Sequence, residues 1–272
     1  MPERKCLPVS LALVALLLGV YAMASVLGPA VSAFGTRPGL VLAELALVAP
    51  GVLGLTVLRY PVLASIGLDR PSSATLGMAI LSGAALWGAS LGLFEVQSLL
   101  IPPSDAFLDA FERLHEALAP AGFLDGLASV VTIAIVPACC EEILFRGVIL
   151  RSLLASFGPA VAILGAATLF GLIHVMPLGH HLSFYRVPFA FAVGIGLGLL
   201  RVRTGSVVPP ILAHATLNTI TFLAAIPFAG QGLKRGADPL APAGLPLLIV
   251  GTLTFLFLLR RSRTLTLKSG VA

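Results

Sequence analysis

Five ionisable side chains and one amide stand where a membrane-crossing segment is ordinarily apolar. The stretch "ACCEEILFRG" (138–147) sets Glu141, Glu142 and Arg146 between apolar runs. "FGLIH" ends on His174, and "HATLN" carries His214 and Asn218. An ionisable group deep in a bilayer costs roughly 3 kcal/mol on insertion scales, so each is a functional candidate by default. A carboxylate beside an imidazole, with little water around them, can act as a general base toward one bound water. A second imidazole with an amide one turn away can donate hydrogen bonds to an oxyanion. Together they could hydrolyse an amide by direct attack of water. A serine or cysteine nucleophile fits less well. No G-x-S-x-G elbow occurs, and neither Cys139 nor Cys140 has a histidine beside it in sequence. Both cysteines read as small apolar residues. One glutamate and two histidines are also a zinc ligand set, with Glu141, His174 and His214 as the ligands. No H-E-x-x-H motif is present and the three groups come from three segments, so residue types alone leave both mechanisms open. Interhelical hydrogen bonding without chemistry explains Asn218 alone, but it is a poor account of six polar groups on three segments.

Spacing arranges these groups further. Glu142 and Arg146 are i,i+4 on one helix face and can pair, and Glu141 then points about 100° away. A tight turn near Phe157, Gly158 and Pro159 divides Glu141 from His174 about equally, so an antiparallel hairpin sets them level, roughly 25 Å from that turn. Phe170 lies one turn from His174. The pair His180 and His181, in "PLGHHLSFYR", reads as a solvated loop. Glu44 and Glu95 read as lone carboxylates near segment ends, interfacial or protonated.

Positioning these groups falls to apolar helices. Of 272 residues, 58 % are hydrophobic and 11 % charged, against about 25 % charged in soluble domains. Apolar runs of about 20 residues recur, the pattern of an all-α polytopic membrane protein. Eight spans are expected, at about 7–27, 38–58, 75–100, 123–155, 158–176, 186–203, 206–228 and 243–260, in one membrane domain covering 1–272. Between the third and fourth, "PPSDAFLDAFERLHEALAPAG" predicts an interfacial helix. Ser104 caps it, and Phe107, Phe111, Leu114 and Leu118 form its apolar face, with His115 on the polar side. The first span is expected to remain uncleaved, because its apolar stretch is longer than a signal core. Basic residues concentrate on the N-terminal side of the membrane (Arg4, Lys5, Arg59, Arg70, Arg151, Arg201, Arg203 and the 260–268 tail) against Arg37, Arg113, Arg186, Lys234 and Arg235 on the other, which places both termini in the cytoplasm. The net charge of +5 follows from that bias and is no nucleic-acid signal. A proton-coupled transporter would also bury Glu and His, but no inverted repeat supports one.

The three motifs, taken in order, resemble the CAAX prenyl protease 2 and bacteriocin-processing (CPBP, or Abi) intramembrane proteases. That family is marked by E-E-x-x-x-R, F-x-x-x-H and H-x-x-x-N, present here as Glu141-Glu142-x-x-x-Arg146, Phe170-x-x-x-His174 and His214-x-x-x-Asn218. The resemblance covers 124–228 and implies a catalytic core there. It implies a glutamic-type endopeptidase in which Glu141 is the base and His174 helps hold the water. His214 and Asn218 would form the oxyanion site, Glu142 and Arg146 a supporting pair, and Phe170 would shape the pocket. No cofactor is implied, with zinc as the rival because members were once described as metalloproteases. The expected partners are membrane lipid and a peptide or protein substrate, lipid-modified or carrying a C-terminal signal. The expected location is the inner membrane of a bacterium.

Overall fold

A computed structural model describes residues 6–178, 180–225 and 244–268, with side chains described as far as Arg261. The chain is an all-α, multi-pass helical bundle. In order, the helices are α1 (Val9–Phe34), α2 (Thr36–Val57), the short α3 (Val62–Ile66), α4 (Ser73–Leu100), α5 (Asp105–Leu118), α6 (Phe123–Ser156) and α7 (Pro159–Leu172). A hairpin of β1 (Met176–Leu178) and β2 (His181–Ser183) follows. Then come α8 (Val187–Thr204), α9 (Val208–Ala225) and α10 (Gly244–Lys268). Seven helices, α1, α2, α4, α6, α8, α9 and α10, are long and apolar enough to cross a membrane.

The fifth expected span differs. It is a helix of 14 residues, α7, about 21 Å long against a hydrocarbon core of about 30 Å. It stops because the amides of Ile173, His174 and Val175 tighten into turns on Leu169, Gly171 and Leu172. His174 therefore lies in the turn beyond the helix, not inside a span. The segment holding His180 and His181, expected as a loop, pairs Met176 with Ser183 and Leu178 with His181. The last three residues of the expected seventh span, 226–228, lie outside the described residues.

Contacts at the two ends show that α1, α4, α7 and α9 run one way and α2, α6 and α8 the other. At the end holding the N-terminus, Leu7 packs with Leu55, Ile66 and Val148. There Arg151 Nη1 donates to the Ala64 carbonyl (3.1 Å) and Ser206 Oγ to that of Asp69 (2.7 Å). At the far end, Arg37 forks onto both oxygens of Asp125 (2.7 and 2.9 Å) and its Nε donates to Ser129 Oγ (3.0 Å). Also there, Gln97 donates to the Tyr185 carbonyl (2.8 Å). Gly35 alone joins α1 to α2, at φ 89°, a left-handed value that glycine adopts at little cost. The helix α5 forms as expected, with Ser104 Oγ accepting from the Phe107 amide at 3.3 Å. Phe107 and Leu118 are buried, whereas Leu114 is 40 % exposed.

Small residues let helix backbones touch, as membrane bundles require when lipid is as apolar as leucine. Gly83 of α4 is one such point, since a Cβ there would collide with the Ala213 carbonyl and lie 2.7 Å from Thr216 Cβ on α9. Gly83→Leu is expected to destabilise by about 1–3 kcal/mol, the usual range for overpacking, and to push α9 with His214 outward. A lower unfolding temperature in detergent, with a smaller loss for Gly83→Ala, is the check.

Candidate active site

The helix α6 is irregular where it matters. Two π-helical stretches, Val131–Ile135 and Ile143–Ile149, flank the turn that carries Glu141 and Glu142. Pro137 accounts for the first, because its ring collides with the carbonyl four residues back and a wider turn relieves the clash. The second lies beneath Phe145 and Arg146, both fully buried.

Arg146 is held in three ways. Its Nη1 donates to Glu142 Oε1 at 2.6 Å, and Nη2 donates to the Gly194 carbonyl of α8 at 3.0 Å. Its guanidinium carbon lies 4.6 Å from the Phe170 ring centroid. Both members of the Glu142–Arg146 pair are essentially inaccessible to solvent. The same Glu142 oxygen meets Nδ1 of His214 at 2.9 Å. A carboxylate paired with arginine can only accept, so His214 Nδ1 carries the proton that points at Glu142. The ring's other nitrogen, Nε2, then faces Glu141 Oε2 at 3.8 Å. That gap is too long for a direct hydrogen bond. Glu142 thus binds both Arg146 and His214, a contact that i,i+4 spacing could not reveal.

Phe170 is the plate against which the site is built. Its ring meets Phe145 edge-on at 5.1 Å, His174 at 4.8 Å and His214 at 5.8 Å. His174 Nδ1 donates to the Phe170 carbonyl at 2.8 Å, and a carbonyl can only accept. In the neutral ring the lone pair is therefore on Nε2. Asn218, one turn beyond His214, is half-buried and has no side-chain hydrogen bond among the described residues. Glu141, Glu142, Arg146, Phe170 and His214 are thus gathered in the interior, with His174 stacked on the rim of Phe170. Cys139 and Cys140 are free thiols, and Cys140 packs in the core between α2 and α6.

Two charged residues join this group that the sequence did not assign to it. Glu44 is no interfacial carboxylate. It lies near the middle of α2, which packs on the Glu141 turn, within Coulombic reach of Glu141 and Cys140. Its Oε2 is buried without a hydrogen-bond partner. Glu95 is likewise buried, against Gly244 of α10. Arg186, read from sequence as one more basic residue beyond the membrane, lies within Coulombic reach of Glu141 and His174. Neither had a local motif to mark it.

A zinc ion needs three protein ligands around one point. Among the described residues, no three His, Cys, Asp or Glu side chains are gathered in that way. The donor types suit zinc but their arrangement does not, and no step below passes through a metal.

The structure thus holds a buried carboxylate–imidazole cluster within a polytopic membrane bundle. Residues 123–220 match the family described as type II CAAX prenyl endopeptidase, Rce1-like. Over that stretch, from α6 into α9, the chain is similar to that family, which is the protease family that its three motifs resemble. The matched residues include every group of those motifs. No curated protein and no solved structure matches the chain.

Proposed function

We propose that the protein is an intramembrane endopeptidase that cuts a membrane-associated protein or peptide near its C-terminus by direct attack of water. Glu141 takes a proton from water as the water oxygen bonds to the scissile carbonyl carbon. His174, with its lone pair on Nε2, holds that water. His214 and Asn218 line the oxyanion side, where His214 donates from Nε2 only as the imidazolium, because in the neutral ring Nδ1 holds the single proton. The C–N bond then breaks, and Glu141 returns the proton to the leaving amine. Glu142 and Arg146 take no part in bond making; they fix His214, and Phe170 seats both imidazoles. The catalytic core is 124–228. The observation that carries this reading is the orientation of His214. Its Nδ1 is tied to a buried carboxylate–guanidinium pair, which turns Nε2 toward Glu141.

On this reading the enzyme is a bacterial processing protease acting on lipid-modified or C-terminally signalled proteins in the inner membrane, with both termini cytoplasmic. Protein reconstituted in lipid vesicles should cleave such a peptide at one bond, identified by mass spectrometry. Absence of cleavage across prenylated and unmodified C-terminal peptides would defeat the reading. Activity is also expected to survive dialysis against a strong chelator, with no stoichiometric metal left in the purified protein. A zinc enzyme would lose turnover, recover it on addition of zinc, and contain about one equivalent of metal.

A further inference from the structure

The proposed chemistry leaves Arg186 without a task. Arg186 precedes the first turn of α8 and is half-buried at the far end of the bundle. Its side chain makes no hydrogen bond or close ion pair among the described residues. A guanidinium presents five donors in a rigid fork that matches a carboxylate, and leaving it unpaired in an apolar setting is costly. Arg37, at the same end, finds its carboxylate in Asp125. Arg186 has none.

Its place is fixed from several directions. Tyr185 is anchored next to it. The Tyr185 carbonyl accepts from Gln97 at 2.8 Å, its hydroxyl bonds Ser98 at 2.7 Å, and its ring packs on Phe94 and Phe107. On the other side, a Cβ at Gly171 of α7 would lie 3.2 Å from the Val187 carbonyl, so Arg186 starts beside the turn that bears His174. Depth agrees. Arg146 Nη2 reaches the Gly194 carbonyl, so the two backbones lie within one arginine side-chain length of each other in depth. The helices α6 and α8 run in the same direction. Glu141 is about 7 Å toward the far end from Arg146, and Arg186 about 12 Å from Gly194. Arg186 therefore starts toward the far end, and its guanidinium lies within Coulombic reach of Glu141. Flanking it, Tyr185 and Pro188 line an apolar groove of about 820 Å³ between α4, α5 and the hairpin, together with Leu93, Val96, Leu100 and Leu182.

We propose that Arg186 receives the C-terminal carboxylate of the substrate, with the apolar residues before it lying in the adjoining groove. This inference rests on the protease reading and names what that site recognises. An apolar chain end bearing one negative charge complements an apolar groove flanked by Arg186, a cation with no hydrogen-bonded partner among the described residues, beside the water-activating groups. Cleavage would then be confined to bonds a short, fixed distance from a free C-terminus. Arg186 is a specificity residue here, since the bond-making groups are Glu141 and His174.

The test compares one farnesylated peptide ending in Cys-Val-Ile-Met as its free acid and as its C-terminal amide. The wild-type enzyme is expected to favour the acid by about 10- to 100-fold in kcat/KM, the range for a charge-assisted contact. Arg186→Gln should bring that ratio to about 1 by losing activity on the acid alone, and Arg186→Lys should restore part of it. A loss equal for both forms would make Arg186 an electrostatic support for Glu141. That result, or a wild-type ratio near 1, overturns the inference and leaves the protease reading standing. A second measurement needs no turnover. The Glu141→Gln variant should bind the acid more tightly than the amide, and adding Arg186→Gln should abolish the difference. If the wild-type protein cleaves neither peptide, the protease reading fails on this substrate. Equal binding of acid and amide would separately refute the carboxylate site.

Discussion

Glu141→Gln is expected to reduce peptide hydrolysis by about 10³-fold or more while leaving the protein folded. An amide is nearly isosteric with the carboxylate but cannot take a proton from water, and a positioned general base contributes roughly 10²–10⁴-fold. Folding should be spared because Glu141 Oε2 makes no direct hydrogen bond among the described residues. It faces His214 Nε2 at 3.8 Å. The measurement is turnover in vesicles alongside thermal unfolding in detergent. A Gln variant with more than a tenth of wild-type activity would remove Glu141 from the base role.

Glu142→Ala should behave in the opposite way, with stability falling first. Removing that carboxylate leaves Arg146 buried without its partner, and breaking a buried pair costs about 3–5 kcal/mol. It also releases His214 Nδ1, because both groups use the same Glu142 oxygen. Low yields and a large drop in unfolding temperature are expected, against near-neutral stability for Glu141→Ala. Replacing Arg146 by Met together with Glu142→Leu should recover stability without activity, since an apolar pair removes the stranded charge but cannot orient His214. Equal stability of the two single alanine variants would contradict this division of labour.

These roles were legible in the sequence to different depths. The i,i+4 rule was sufficient for Glu142 and Arg146, because both ends of that contact lie on one helix. The link from Glu142 to His214 spans 72 positions, and no local spacing encodes it. Equal distances from the turn at Gly158 suggested that Glu141 and His174 would be level. They could not show that α7 ends before His174, since "FGLIHVMPL" is apolar throughout and hydropathy does not register where a helix stops. Glu44 was misplaced for a related reason. A single carboxylate in an apolar run is ambiguous until the neighbour it faces is known. Arg186 looked like one more charge for the positive-inside tally, and only the fold shows its side chain turned back toward the interior.

The early end of α7 bears on how water reaches a reaction buried among lipid-facing helices. At about 21 Å, this helix leaves roughly 9 Å of a 30 Å hydrocarbon layer unspanned. A bilayer meeting so short an element thins locally, drawing its headgroups inward. The place where that happens is the turn carrying His174, with the polar hairpin edge directly beyond it. The aqueous boundary would thus dip toward His174, the imidazole proposed to hold the attacking water. The catalytic group could then lie at mid-bundle depth along α6 and still be hydrated from one leaflet, with no channel needed through the rest of the bundle.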